Sequence, residues 1–145
     1  MTSSWSYFDT SAYIKLFIKE AGSDKARKRA KASRVLSSAI VSVECFSALA
    51  RRKREGELPE EIFQKTLKDI KDGFRSLEII SSNDAVLKYA ENISLRFSAR
   101  AMDAIHIASA HIFQESTDIE VSFITSDKKQ RDAAAQSGLR VVYIE

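Results

Sequence analysis

Short apolar runs alternate with helical segments along this chain, and no other feature restricts its fold as tightly. "WSYF" is brief, aromatic-rich and ends at Asp9, the pattern of a strand. "AIVSV", "LEII", "EVSFITS" and "LRVVYIE" are the further strand candidates. Between them, apolar residues recur at helical spacing: Ala12, Tyr13, Leu16 and Phe17 in "TSAYIKLFIKE", and Ile62, Leu67 and Ile70 in "PEEIFQKTLKDIKDGF", which Pro59 opens from the first helical position. "GSDKARKRAKASRVLSS" reads as a helix with Ser23 as its cap, and "VECFSALARRKRE" as one that stops at Gly56. "SSNDAVLKYAENISLRFSA" and "DKKQRDAAAQS", the latter closed by Gly138, are two more. Strands alternating with helices imply a mostly parallel central sheet of about four to five strands, flanked by helices on both faces. One proline, four glycines, and neither repeat nor low-complexity tract point to a single α/β domain over residues 1–145.

One helix breaks its own pattern. "DAIHIASAHIFQES" is almost wholly apolar or small at its start, the composition of a buried helix, yet Asp103 stands at its mouth. Asp9 ends the first strand, and Asp127 ends "VSFIT". In open α/β sheets, ligands bind at the carboxyl ends of the strands, so these two acids share an edge. Glu44, after "AIVSV", reaches the same edge from the start of a helix. Four carboxylates on one rim repel one another unless protonated or neutralised by a cation. Hard oxygen ligands suit Mg²⁺ or Mn²⁺, and such a cluster is the apparatus of metal-assisted phosphoryl transfer. Each acid also has a plainer reading. Asp9, Asp103 and Asp127 suit helix caps, and a helical glutamate is usually solvated. Spacing by itself does not choose between the two.

Other features narrow the chemistry. With 44% hydrophobic and 30% charged residues, the chain has the balance of a soluble globular domain. Gly22, Gly56, Gly73 and Gly138 are isolated, so no glycine-rich phosphate loop exists. Cys45 is the single cysteine; it cannot form an internal disulfide, which fits a reducing, cytoplasmic setting, and it reads as a small buried hydrophobe. "MTSSWSYFDT" shows no basic segment before an apolar run, so no signal peptide is expected, and no stretch has the length of a membrane span. His106, three residues after Asp103, reads as a core or supporting residue rather than a metal ligand, and His111 as structural. The net charge of +3 permits a nucleic-acid partner without demonstrating one. "KARKRAKASR" and "RRKR", Arg51, Arg52, Lys53 and Arg54, are solvated helix faces on their own; with Lys15 and Arg100 they are the candidates for holding RNA phosphates.

Taken in order, "YFDTSAYIKLFIKE" with "GSD", "SAIVSVECFSALAR", "ARAMDAIHIASA" and "FITSDKKQRDAAAQSGLRVV" resemble the PIN-domain ribonucleases, specifically the VapC-type toxins of toxin–antitoxin pairs. The likeness covers nearly the whole chain. It implies a PIN fold and a Mg²⁺-dependent endoribonuclease, with Mn²⁺ as substitute, that hydrolyses RNA. It implies Asp9, Glu44, Asp103 and Asp127 as catalytic metal-binding acids, Asp9 and Asp103 as direct ligands, and Thr10 and Thr125 as supporting hydroxyls. Asp132 lies close to the fourth acid. The resemblance also implies a cytoplasmic homodimer inhibited by a small cognate antitoxin. The alternative is a catalytically silent PIN-like module that binds RNA or protein, but a pure binding surface has no need to concentrate repelling charges. A phosphorylated receiver domain would want an acidic pair at the first strand, where "YFDTS" offers one acid.

Overall fold

The computed structural model describes residues 4–145. Residues 1–3, where the segment read for a signal peptide begins, lie outside them. The elements are β1 (Trp5–Phe8), α1 (Thr10–Tyr13), a 3-10 turn (Ile14–Leu16), α2 (Ser23–Lys31), β2 (Arg34–Ser38), α3 (Val41–Arg54), α4 (Glu60–Gly73), a second 3-10 turn (Phe74–Ser76), β3 (Glu78–Ile80), α5 (Asp84–Phe97), α6 (Ala101–Thr117), β4 (Val121–Thr125), α7 (Lys128–Gln136) and β5 (Arg140–Tyr143). The strands form one five-stranded sheet in the order β3-β2-β1-β4-β5. Every neighbouring pair is parallel, with Tyr7 opposite Leu36 on one side and Phe8 opposite Ile124 on the other. The chain leaves central β1 towards β2 and reaches the other flank only with β4. The carboxyl ends of β1 and β4 therefore mark the topological switch point, where such sheets bind ligands.

Side-chain alternation divides the interior into two layers. Tyr7 and Phe123 face a core completed by Leu36, Val86, Ile93, Ile107 and Ala134. Their rings stack with centroids 5.2 Å apart. Phe8 and Ile124 face the opposite core, with Tyr13, Val41, Leu49 and Ile70. The helix α6 is buried at Ala104 and at every residue from His106 to Ala110, as its composition demands. No helix among the described residues is long and apolar enough to cross a membrane.

Four local expectations change. The second strand is "RVLSS", not "AIVSV". Its Ser37 and Ser38 are fully buried, and Ser37 Oγ donates to the Phe8 carbonyl at 2.6 Å. Hydroxyls satisfied inside the core leave no trace in a hydrophobic pattern. "AIVSV" is instead the entry to α3: Val41 is buried while Val43 is 62% exposed, a helical and not a two-sided strand pattern. "TSAYIKLFIKE" holds only one α-helical turn before its 3-10 turn. Ser23 is the first residue of α2 rather than its cap; its Oγ donates to the Ile18 carbonyl at 2.6 Å and accepts the Glu20 N–H at 3.0 Å, closing the preceding turn. Pro59 stands one residue earlier than expected, at the N-cap of α4.

Gly22 occupies the N-cap of α2 with φ of 88°, and a Cβ there would stand 2.5 Å from the Glu145 carbonyl oxygen. Gly22→Ala should therefore destabilise the protein by about 2 kcal/mol, through left-handed strain and displacement of the chain's last residues. Urea denaturation measures this; an unchanged midpoint would refute the close approach.

Candidate active site

Asp9 follows β1 directly and caps α1. Its Oδ1 accepts the Ala12 N–H at 3.0 Å and the Ser11 hydroxyl at 2.7 Å; its Oδ2 accepts the Thr125 hydroxyl at 2.6 Å. The side chain is almost fully buried. Burial raises the Asp9 carboxyl above its usual range, against the opposing pull of His106 and these hydrogen bonds. Thr125, the last residue of β4, also accepts the Asp127 N–H at 3.1 Å, so one hydroxyl joins both strand ends. Asp127 caps α7 through the Gln130 N–H at 3.0 Å. The plainer capping reading thus holds for Asp9 and Asp127, and both still face one cleft.

Glu44 sits in the first turn of α3. Its Oε1 accepts the Thr10 hydroxyl at 2.7 Å and lies 2.6 Å from His106 Nε2. Burial pushes the Glu44 carboxyl up, but its interactions with His106 and then the Thr10 bond outweigh it, leaving a net lowering. His106 is buried, and its Nδ1 lies 2.7 Å from the Tyr7 hydroxyl.

Asp103 is not a cap. The N-cap of α6 is Arg100, whose side chain makes no capping bond, and Asp103 lies three residues further on. Among the described residues its carboxylate accepts no hydrogen bond, and the Arg100 Nε stands 3.9 Å away. Burial and then the charge of Asp127 raise the Asp103 carboxyl, with His106 and Arg100 opposing. Its backbone carbonyl accepts Gln130 Nε2 at 3.1 Å, which ties α7 to the mouth of α6.

All four acids line one cleft of about 410 Å³, together with Thr10, Ser11, His106, Ser126 and the cations Lys15, Arg51 and Arg52. Lys15 and Arg52 each pair with Glu20 at 3.1 Å, while Arg51 makes no ion pair among the described residues. The rest of the basic run points elsewhere. Lys53 pairs with Glu60 and lies over the Phe63 ring, and Arg54 does not line the cleft. Arg100 and Asp132 line a neighbouring depression, where Asp132 pairs with Arg131 at 3.0 Å. Cys45 is fully buried beside Glu44, and its thiol is pushed up to about 12 by burial and then by the Glu44 charge, so it is no nucleophile. His111 lies 2.8 Å from the Ser137 hydroxyl and stacks on Tyr89, away from the acids. The partners Ser11, Ser126, Tyr7 and Gln130 carried no sequence signal of their own. Among the described residues, no three His, Cys, Asp or Glu side chains stand close enough, as placed, to hold one ion together.

The chain matches the model of the PIN domain over residues 6–136. It is 31% identical over 139 residues to the ribonuclease VapC46 of Mycobacterium tuberculosis, across 94% of this chain and 95% of that protein. Among solved structures, the sarcin-ricin loop cleaving toxin VapC20 of M. tuberculosis superposes with a TM-score of 0.68 at 16% identity, covering 97% of this chain and 99% of that one. A toxin–antitoxin complex from Klebsiella pneumoniae gives 0.64 at 19% identity, covering 94% and 95%. These two likenesses concern the fold, whereas the domain match and the near-full-length relative concern descent: the chain belongs to the PIN-domain family and, within it, to the VapC ribonucleases.

Proposed function

We propose that this VapC-family ribonuclease is a Mg²⁺-dependent endoribonuclease, with Mn²⁺ able to substitute, and that it hydrolyses RNA as the toxin of a VapBC-type pair. The observation that carries the reading is the gathering of Asp9, Glu44, Asp103 and Asp127 around one cleft at the switch point of the sheet. Carboxylate oxygens are the donor type for such an ion. Mg²⁺ keeps several waters and takes only one or two carboxylates with substrate phosphates, a demand that carboxylates around one cleft can meet. Asp9, Glu44, Asp103 and Asp127 are the residues assigned to hold it, with Asp9 and Asp103 as the foremost direct ligands. When bound, the ion supplies charge that acidifies an attacking water and neutralises the leaving oxygen. Glu44, kept ionised by His106 and Thr10, is the group placed to take the water's proton. A small antitoxin as partner is supported by the Klebsiella structure being a toxin–antitoxin complex. Homodimer formation and a cytoplasmic location rest on the sequence resemblance.

The purified protein should cut structured RNA with Mg²⁺ or Mn²⁺ and stop when EDTA is in excess; equal cleavage in EDTA would reject the metal. Phosphate contacts should come from the cleft side of the basic run alone. Arg51→Gln is expected to weaken binding of a single-stranded oligoribonucleotide and flatten its salt dependence by about 0.7 in logarithmic slope. Arg54→Gln should change neither. Fluorescence anisotropy across a salt series separates them, and equal effects would return the whole run to a diffuse surface field.

A further inference from the structure

Behind Glu44 runs a buried polar chain from three elements: Tyr7 of β1, His106 of α6 and Glu44 of α3. The distances along it restrict its hydrogen-bond directions. Glu44 Oε1 stands 2.6 Å from His106 Nε2, and two lone pairs at that separation repel, so Nε2 carries a proton. Thr10 Oγ agrees: at 2.7 Å from Oε1 and 3.1 Å from Nε2, it donates to the carboxylate and turns a lone pair to the imidazole. In the Nε2–H tautomer Nδ1 is an acceptor, and the Tyr7 hydroxyl, 2.7 Å away, is its donor. Tyr7 is fully buried, stacked on Phe123 and set edge-on to the imidazole. Burial holds its phenol well above the usual range, which keeps the hydroxyl protonated and donating. With both nitrogens engaged, His106 has no lone pair left for a metal.

Building on the metal-dependent reading above, we propose that Tyr7 and His106 are positioning residues for Glu44. The tyrosine hydroxyl selects the Nε2–H tautomer of His106. That N–H and the Thr10 hydroxyl hold Oε1 and leave Oε2 as the oxygen offered to the ion and the attacking water.

Two measurements on the full chain test this without RNA. Long-range ¹H–¹⁵N spectra of histidine-labelled protein report the tautomer, and only His106 and His111 contribute signals. The neutral Nε2–H form is expected for His106; the Nδ1–H form, or a ring protonated on both nitrogens, would overturn the proposal. Calorimetric titration with Mn²⁺ then reads the effect on Glu44. His106→Leu should lose roughly 10- to 100-fold in affinity, and Tyr7→Phe a smaller part of that. His106→Gln keeps an acceptor for Tyr7 and a donor for Glu44, so it should retain more affinity than His106→Leu. Equal Mn²⁺ affinity in His106→Leu and the parent, or equal losses in the two His106 variants, would reduce the chain to packing. A parent that binds no Mn²⁺ would overturn the metal-dependent reading, and the tautomer would still decide the hydrogen-bond chain. If the His106 variants fail to fold, the parent tautomer and Tyr7→Phe, which keeps the ring stack on Phe123, carry the test.

Discussion

Asp103→Asn should abolish RNA cleavage while leaving the fold intact. The substitution removes no cap and no hydrogen bond, because the Asp103 carboxylate makes neither among the described residues. What it removes is a charge beside Asp127. Burial and that neighbour raise the Asp103 carboxyl in the folded protein, so the folded state binds this proton more tightly than the unfolded state does. The stability this gives is present below the ordinary carboxylate range and is lost as pH rises from there through the raised folded value. In EDTA, Asp103→Asn should therefore melt no lower than the parent, with a difference that grows across that window and levels off above it. Added Mg²⁺ should raise the parent's Tm more than the variant's, since only binding to the native state stabilises. Cleavage should fall by roughly 100-fold or more, the scale on which losing a ligand or its support acts. Parental activity together with a parental Mg²⁺ shift would remove Asp103 from the site.

Thr125→Val is the change with the largest expected effect on stability. Thr125 is fully buried, donates to Asp9 Oδ2 at 2.6 Å and accepts the Asp127 N–H at 3.1 Å. Valine fills the volume but strands a buried carboxylate oxygen and a backbone amide, at a cost of about 3 kcal/mol, which corresponds to roughly 10 °C in Tm. Thr125→Ser keeps both bonds and should lose much less. Thermal melts of the pair decide the matter: equal losses would mean that the methyl, not the hydroxyl, matters.

The sequence made legible what is local and hid what is distant. Strands β1, β3, β4 and β5 were readable because apolar residues announce them. The strand β2 was not, because two of its inward residues are serines whose hydroxyls are satisfied by backbone groups. Glu44 falls at the acidic rim whether or not the run before it is a strand, because it belongs to the first turn of α3. Thr10 and Thr125 are legible as partners only by resemblance, and His106 is legible as a supporting residue without a named partner. Thr125 meets Asp9 across 116 positions and His106 meets Glu44 across 62. No local pattern encodes such a meeting.

The strand order also has a consequence for synthesis. The central strand β1 is made first, yet one of its two neighbours, β4, begins only at Val121. Asp9, Glu44 and Asp103 have all been translated by then, but Thr125, which fixes Asp9, and Asp127 have not. Contacts of such long sequence separation form late, after their loop-closure entropy has been met. A nascent chain, or one truncated before β4, therefore carries three of the four acids but not the strand end that fixes Asp9 and brings Asp127 beside them. The topology makes the acidic cleft wait for a strand more than a hundred residues downstream of the first of its acids.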